Sequence, residues 1–255
     1  MAHTSEHTPH QSPAELIDTR FGFLAHPLEL TPYQHKQHDS VMENAMDNRL
    51  VGEMLSVFNK NGDQGTKNHS LGVSWIVAAA ALELGLEKRD ATMLAVAGAI
   101  HDIEKGNPII SWVFNSRVKY ADNPAMFRLG QRHAKWGEHK VSRLGSGPNI
   151  AMLVGSHHGF QTDRPAYGIT ADNVRAFEEP DGYVPPIKVM AEILASGDST
   201  HALSVDPAVS GRLYLNKSDV SPARAMEVVN TLRVRDEVKR AIGKVVGYDE
   251  LRDAA

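Results

Sequence analysis

Apolar residues recur at intervals of three, four and seven along most of this chain, which is the period of an amphipathic helix. The strict alternation typical of strands is missing. Residues that favour helix ends stand between the periodic segments: Asn61-Gly62, Asn123-Pro124, Asn149, Gly159, Pro185-Pro186 and Ser221-Pro222. The pattern predicts an all-α protein.

Two apolar segments indicate which helices lie in the core. The first is an apolar stripe from Met42 to Phe58, which the pattern predicts as helix up to the stop at Asn61-Gly62. This stripe favours a core position, with a dimer seam as the alternative. The second, residues 90–102, is apolar nearly all round, as expected of a central buried helix.

The same pattern predicts one structured domain. Residues 1–38 are rich in His, Pro, Thr and Ser and are predicted to form a flexible tail. Residues 39–255 are predicted to form a single helical domain. Its motifs lie within residues 63–205, and residues 206–255 form a C-terminal helical extension.

Composition narrows the choice of partners. The 255 residues carry a net charge of −4 and no run of Lys and Arg, which argues against a long nucleic acid or an anionic membrane as partner. The apolar stretches are well short of the ~20 residues of a membrane span, and the N-terminus does not resemble a signal peptide. The absence of Cys excludes disulfides and thiolate metal sites, and fits a cytoplasmic protein.

Several polar residues lie on faces that should point into the core. His69, His101, His133, His157 and Asp198 each stand three, four or seven positions from apolar residues of their own predicted helix. The face of His158 is ambiguous, because it stands beside Gly159 at a helix end.

His139 provides a contrast on the helix of His133. Its neighbours four positions away on either side are Lys135 and Arg143, so it is expected to lie on a solvated face.

A bound metal would explain this set of inward-facing groups. A buried carboxylate without a partner costs several kcal/mol, and Asp102 and Asp198 both face that cost. A single histidine in such a position is more often a hydrogen-bonded core residue than a metal ligand. Because imidazole and carboxylate together are common metal ligands, the whole set predicts a metal site.

The ordered motifs resemble those of the HD superfamily of metal-dependent phosphohydrolases, and most closely those of HD-GYP-type domains. The segments that carry the resemblance are NHSLGV at His69, HDIEK at His101, HAKWG at His133, SHH at His157 and ASGDSTHAL at Asp198. The resemblance covers about residues 63–205 and implies an HD-domain helical bundle with a metal site between its central helices.

The resemblance also implies a ligand set and two catalytic groups. One metal would be held by His69, His101, Asp102 and Asp198, and a second by His133 and His157, with His158 as a further candidate. Asp102 would bridge the two ions, which are expected to be Fe or Mn, with Zn, Ni or Mg as alternatives. Lys105 would neutralise a phosphate oxygen, although a lysine favoured by a helix C-terminus is an equal alternative.

This chain differs from the family pattern at four positions and in one motif. Glu104 replaces the Gly of HDIGK, Gly159 replaces the Glu after the paired histidines, and His201 replaces the second Asp of ADxxDAL. The GYP motif is missing from its expected place. Gly65 stands where some members carry a glutamate for a third metal, so two metals are the expectation.

Three functions remain open from the sequence. The leading hypothesis is hydrolysis of a phosphoester in a nucleotide or cyclic dinucleotide, with a small, nucleotide-like phosphorylated molecule as the partner. The alternatives are a di-iron oxygenase of the HD fold, and a non-catalytic sensor or ligand-binding module that contains metal. A homo-oligomer is compatible with all three.

Overall fold

The structure, a computed structural model, describes residues 30–115, 123–162, 165–204 and 221–248. Within these ranges all regular secondary structure is helical, which confirms the all-α prediction. The α-helices are α1 (Pro32–Met46), α2 (Arg49–Asn61), α3 (Gln64–Glu83), α4 (Lys88–Ile100), α5 (Pro108–Asn115), α6 (Pro124–Arg143), α7 (Pro148–Ser156), α8 (Ile187–Ser204), α9 (Pro222–Thr231) and α10 (Asp236–Val245). Two short 3₁₀ helices cover Ile103–Gly106 and Ala171–Asn173.

Most helix ends lie where the capping residues predict them. Gly62 ends α2 with a φ of 67°, a conformation that glycine adopts without strain. The side chains of Asn123 and Ser221 accept hydrogen bonds from the first turns of α6 and α9.

The predicted start of α7 at Asn149 is wrong by two residues. Gly147 is the N-cap, and Pro148 is the first residue of the helix. The side chain of Asn149 instead accepts a hydrogen bond from the backbone N–H of Phe177, at 2.8 Å. Asn149 therefore holds the segment before α8 rather than capping its own helix.

The first apolar stripe forms two helices instead of one. Asp47 ends α1, and the side chain of Asn48 accepts a hydrogen bond from the backbone of Leu50 at the start of α2. Met42 and Phe58, at the two ends of the stripe, are both buried in the same core. An Asn that bonds to the backbone ahead of it competes with helix continuation, which accounts for the break.

The first helix begins earlier than the predicted boundary between tail and domain. Thr31 and Gln34 form a capping box, and α1 begins at Pro32, inside the segment 1–38. His38 is buried, with its Nε2 3.0 Å from the carbonyl oxygen of Trp75. The helical region thus includes residues 32–38, while residues 1–29 of the predicted tail lie outside the described residues.

Helices α3 and α4 lie at the centre of the bundle. Alanines cover much of their contact, and a Cβ on Gly98 would lie 3.0 Å from the Cα of Ser74, so the two backbones approach closely. Helix α8 also packs against α3. Helices α6 and α7 pack against each other, and α7 contacts α8. No helix in the described ranges has the length and apolar character needed to cross a membrane.

The C-terminal helices complete the same core. Helix α9 packs against α8, and α10 packs against α3 and α8. Met226 of α9 and Ile242 of α10 belong to the main apolar cluster. Residues 205–220 and 249–255 of the predicted extension lie outside the described residues.

Candidate metal centre

Five helices bring all seven predicted ligands to one place in the middle of the bundle. Helices α3, α6 and α8 supply side chains from within their length, and α4 and α7 supply theirs from the residues that follow their last turns. All seven side chains are buried: His69, His101, Asp102, His133, His157, His158 and Asp198. His139 lies exposed on α6, as its charged neighbours predict.

Three of the histidines are oriented by their own helices. The Nδ1 atoms of His101, His133 and His157 lie 2.7, 2.5 and 2.6 Å from the carbonyl oxygens three residues earlier. A carbonyl only accepts, so each Nδ1 carries the proton and donates. In the neutral imidazole each Nε2 then has the lone pair that a metal requires.

The two carboxylate oxygens of Asp102 face different histidines. Its Oδ2 lies 3.3 Å from Nε2 of His101 and 3.6 Å from Nε2 of His69. Its Oδ1 lies 3.3 Å from Nε2 of His133 and 3.9 Å from Nε2 of His157. A carboxylate that bridges two cations needs this division of its oxygens.

The cluster can therefore be divided into two groups on either side of Asp102. The carboxylate-rich group comprises His69, His101, Asp102 and Asp198, and the all-histidine group comprises His133, His157 and His158. Donor atoms within 4.8 Å of one another occur in each group, and also in the triplet His101, His157 and Asp198. The two groups thus adjoin each other, since this triplet contains residues of both.

Asp198 belongs mainly to the carboxylate-rich group. Its Oδ1 lies 3.0 Å from Nε2 of His69 and 3.7 Å from Nε2 of His101. Its Oδ2 lies 3.8 Å from Nδ1 of His158. Asp198 is therefore the second carboxylate within reach of a cation held by His69 and His101.

Several ligand atoms in the cluster are placed where bound cations would satisfy them. Nε2 of His133 lies only 3.1 Å from Nε2 of His157. Both atoms carry a lone pair, because the proton of each ring is on Nδ1. Nε2 of His101 and Oδ1 of Asp102 are buried and make no hydrogen bond of acceptable geometry. Buried groups of this kind are costly, and a cation between them would satisfy several at once.

The histidines of the all-histidine group are neutral. Burial lowers the pKa of His133. Burial, reinforced by the charge of His101, lowers the pKa of His157 to about 3. Burial also places the pKa of His158 well below its usual value. Neutral imidazole is the form that binds a metal.

The carboxylate-rich group is ionised. Burial alone would raise the pKa of Asp102, but the charges of His101 and Lys105 hold it well below its usual value. Burial would raise the pKa of Asp198, but the neighbouring imidazoles of His101 and His69 hold it well below its usual value. Burial opposes protonation of His101, yet the two carboxylates raise its pKa to about 9. Without metal, Asp102 and Asp198 are therefore negatively charged and His101 is positively charged at neutral pH.

Lys105 lies inside the cluster instead of at an exposed helix end. It belongs to the 3₁₀ helix after Asp102 and is 4% exposed. Its Nζ lies 2.5 Å from Oδ2 of Asp102 and 4.3 Å from the centre of the Phe114 ring. The ammonium group thus holds the carboxylate that divides the two groups.

Two departures from the family pattern have structural reasons. Glu104 lies 3.1 Å from Nζ of Lys140 and so joins the 3₁₀ helix to α6. A Cβ on Gly159 would lie 2.1 Å from the carbonyl oxygen of Ile169, so the backbone there leaves no room for a glutamate.

The sequence pattern does not predict two contacts of His158. The amide nitrogen of Gln161 lies 2.9 Å from its Nδ1, and the Tyr167 ring lies 4.4 Å from its imidazole centre. Both residues follow α7 in a segment without helical period, so periodicity offers no signal for them.

Comparison with known families agrees with this arrangement. The profile of the HD domain family matches residues 66–203, more than half of the chain. This chain belongs to the HD domain family. The match spans His69 to His201 and thus includes every residue of both groups.

Two solved HD domains are similar to this HD domain protein. Both are of the phosphodiesterase PgpH from L. monocytogenes, one of them in complex with cyclic-di-AMP. The complex shares 16% identity with a TM-score of 0.49, and the other structure 15% with 0.47. Each alignment covers 82% of this chain and 99% of the other. A search of curated proteins finds no match.

Proposed function

We propose that this HD domain protein is a metal-dependent phosphohydrolase with a dinuclear centre. Its substrate is a phosphoester of a nucleotide or cyclic dinucleotide. The observation that carries the proposal is the division of the Asp102 oxygens between two sets of histidine Nε2 atoms. Membership of the HD domain family supports the same chemistry.

The donor set suits two ions of transition-metal type. When bound, two such cations lower the pKa of a water and stabilise charge on the attacking and leaving oxygens of a phosphoester. Five buried imidazoles favour transition-metal ions. We expect Fe or Mn, with Zn, Ni and Mg as alternatives. Asp102 and Asp198 supply the negative charge that offsets the cations.

The protein side chains around the donors perform positioning and charge neutralisation. The aromatic rings of Phe114 and Tyr167 pack against His133 at 5.2 and 5.9 Å and hold its imidazole in place. Lys105 is the only ammonium that the described structure shows within ion-pair range of Asp102. Its catalytic role is to neutralise a phosphate oxygen once Asp102 engages the cations.

Metal analysis and a substrate panel test this proposal together. The protein is purified, reconstituted separately with Fe, Mn, Ni or Zn, and assayed for bound metal. It is then offered nucleoside monophosphates, cyclic mononucleotides, cyclic-di-AMP and cyclic-di-GMP, both with and without O₂. We expect about two ions per chain and cleavage of a phosphoester that persists without O₂.

Two results would overturn the proposal. Fewer than one metal per chain after reconstitution would remove the metal centre itself. Turnover that requires iron and O₂, with no cleavage by the Zn-loaded protein, would identify an oxygenase of the same fold.

A further inference from the structure

His201 lies directly behind His69 in the bundle. It stands on α8, three residues after Asp198, and its side chain is fully buried. Its Nδ1 lies 3.0 Å from Nδ1 of His69, and the two ring centres are 5.1 Å apart. His201 thus contacts His69 through the ring nitrogen that does not face the carboxylates.

Gly72 of α3 makes the space for the His201 ring. A Cβ on Gly72 would lie 1.9 Å from Nε2 and 2.1 Å from Cδ2 of His201. Real Cβ atoms do not approach heavy atoms this closely, so any larger residue at position 72 would displace the imidazole. The position of His201 therefore depends on a glycine one turn after His69.

The contact with His201 suits the tautomer of His69 that can bind a cation. Nε2 of His69 lies 3.0 Å from Oδ1 of Asp198 and 3.6 Å from Oδ2 of Asp102, so Nε2 is the atom that would face a cation. For Nε2 to offer a lone pair, Nδ1 must carry the proton. Nδ1 of His201 is then the acceptor of that proton, and His201 carries its own proton on Nε2.

In His101, His133 and His157 a backbone carbonyl accepts from Nδ1. For His69 the acceptor is instead the side chain of His201 from another helix, which stands where the family pattern has an aspartate. Partners of this kind fix the tautomer and the ring orientation of a metal ligand.

We propose that His201 is a positioning residue that holds His69 in its metal-binding tautomer, and that Gly72 is required for this role. The inference rests on the metal centre of the proposed function, and it assigns His201 no contact with the substrate. The residue acts on metal affinity through His69.

The test uses Zn²⁺ alone as the probe and two readouts. Nitrogen-15 NMR of the Zn-loaded wild type should show His69 bound through Nε2, with a slowly exchanging proton on Nδ1. In His201→Ala that proton should exchange rapidly. Chelator competition should show Zn²⁺ affinity lowered about 10–100-fold, the usual cost of losing such a partner.

Matched variants separate positioning from loss of stability. Gly72→Ala should reproduce the His201→Ala effect, and the double variant should be no weaker than either alone, because both changes remove the same contact. His201→Asp, which restores the family's acceptor, should recover affinity to within a few fold. Val77→Ala, a buried change on the same face between α3 and α8, should lower Tm without changing Zn²⁺ affinity.

The outcomes for positioning and for hydrolysis are distinguishable. A wild type in which His69 binds Zn²⁺ through Nδ1, or His201→Ala and Gly72→Ala variants with wild-type affinity, would overturn the role of His201 whatever the activity. Zn²⁺ binding that depends on His201 in a protein that cleaves no phosphoester would uphold the positioning role while the proposed function fails. A wild type that binds no Zn²⁺ would overturn the positioning role, whereas the proposed function fails only if Fe, Mn, Ni and Zn all bind at fewer than one ion per chain.

Discussion

The carboxylate-rich group and the all-histidine group lie side by side in the same core but differ in charge. In the carboxylate-rich group the pKa values of Asp102 and Asp198 lie well below normal, and that of His101 is raised to about 9. In the all-histidine group the pKa of His157 is lowered to about 3. Burial is the same in both, so the difference arises from the two carboxylates.

This difference implies unequal metal sites. A cation entering the carboxylate-rich group meets two negative charges, whereas one entering the all-histidine group meets neutral imidazoles and one oxygen of Asp102. We therefore expect the carboxylate-rich group to bind its ion more tightly. Substitutions of the shared Asp102, and then of residues in each group, test this inequality.

Asp102→Asn should have the largest effect because both groups lose their shared carboxylate. We expect bound metal to fall below one ion per chain and kcat to fall by roughly 10³-fold or more, equivalent to about 4 kcal/mol of transition-state stabilisation. Asp172→Asn, at an exposed site, is the control and should keep both ions. Retention of two ions by Asp102→Asn would contradict a bridging role.

His133→Ala should affect the all-histidine group alone. Because Nε2 of His133 faces Oδ1 of Asp102, about one ion per chain should remain in the carboxylate-rich group, while kcat falls by roughly 10²- to 10³-fold. His139→Ala is a matched control on the same helix, since His139 is exposed. Metal analysis and initial rates measure both. Loss of both ions in His133→Ala would show that the groups are not separable.

Lys105→Met should have a smaller effect on rate and little effect on metal content. Without the ammonium, one positive charge no longer stabilises the phosphate oxygen. Removal of a single stabilising donor of this kind lowers kcat by about 10²-fold. Methionine keeps the contact with Phe114, so folding should be preserved. Wild-type kcat in Lys105→Met would restrict Lys105 to holding Asp102.

The number of protons released on metal binding should differ between the two groups, and this is the smallest of the expected effects. At pH 7.5 His101 is protonated without metal because its pKa is about 9, so filling the carboxylate-rich group should release about one proton. The all-histidine group should release none. Affinity of the first ion should then rise about tenfold per pH unit up to about pH 9. Calorimetry in buffers of different ionisation enthalpy measures both counts, and equal counts would contradict the comparison.

The fold and the ligand faces could be predicted because they depend on local patterns. Caps such as Asn123 and Ser221 act within one turn, and helical spacing alone separates buried His133 from exposed His139. The break between α1 and α2 could not be predicted from the pattern, because the apolar stripe continues through it while Asn48 acts on the backbone.

Contacts between distant helices could not be predicted in the same way. The division of the Asp102 oxygens depends on how four helices approach one another. The niche that Gly72 makes for His201 joins α3 to α8 across 129 positions of the chain, and no periodicity encodes it. Tyr167 and Gln161 lie in a segment without helical period.

Anomalous X-ray diffraction from metal-loaded crystals tests the dinuclear centre most directly. Data collected on both sides of the metal absorption edge should show two peaks about 3.5–4 Å apart. One peak should lie against His69, His101 and Asp198, the other against His133 and His157, with one oxygen of Asp102 pointing to each. A single peak, or two peaks that both lie on one side of Asp102, would contradict the account.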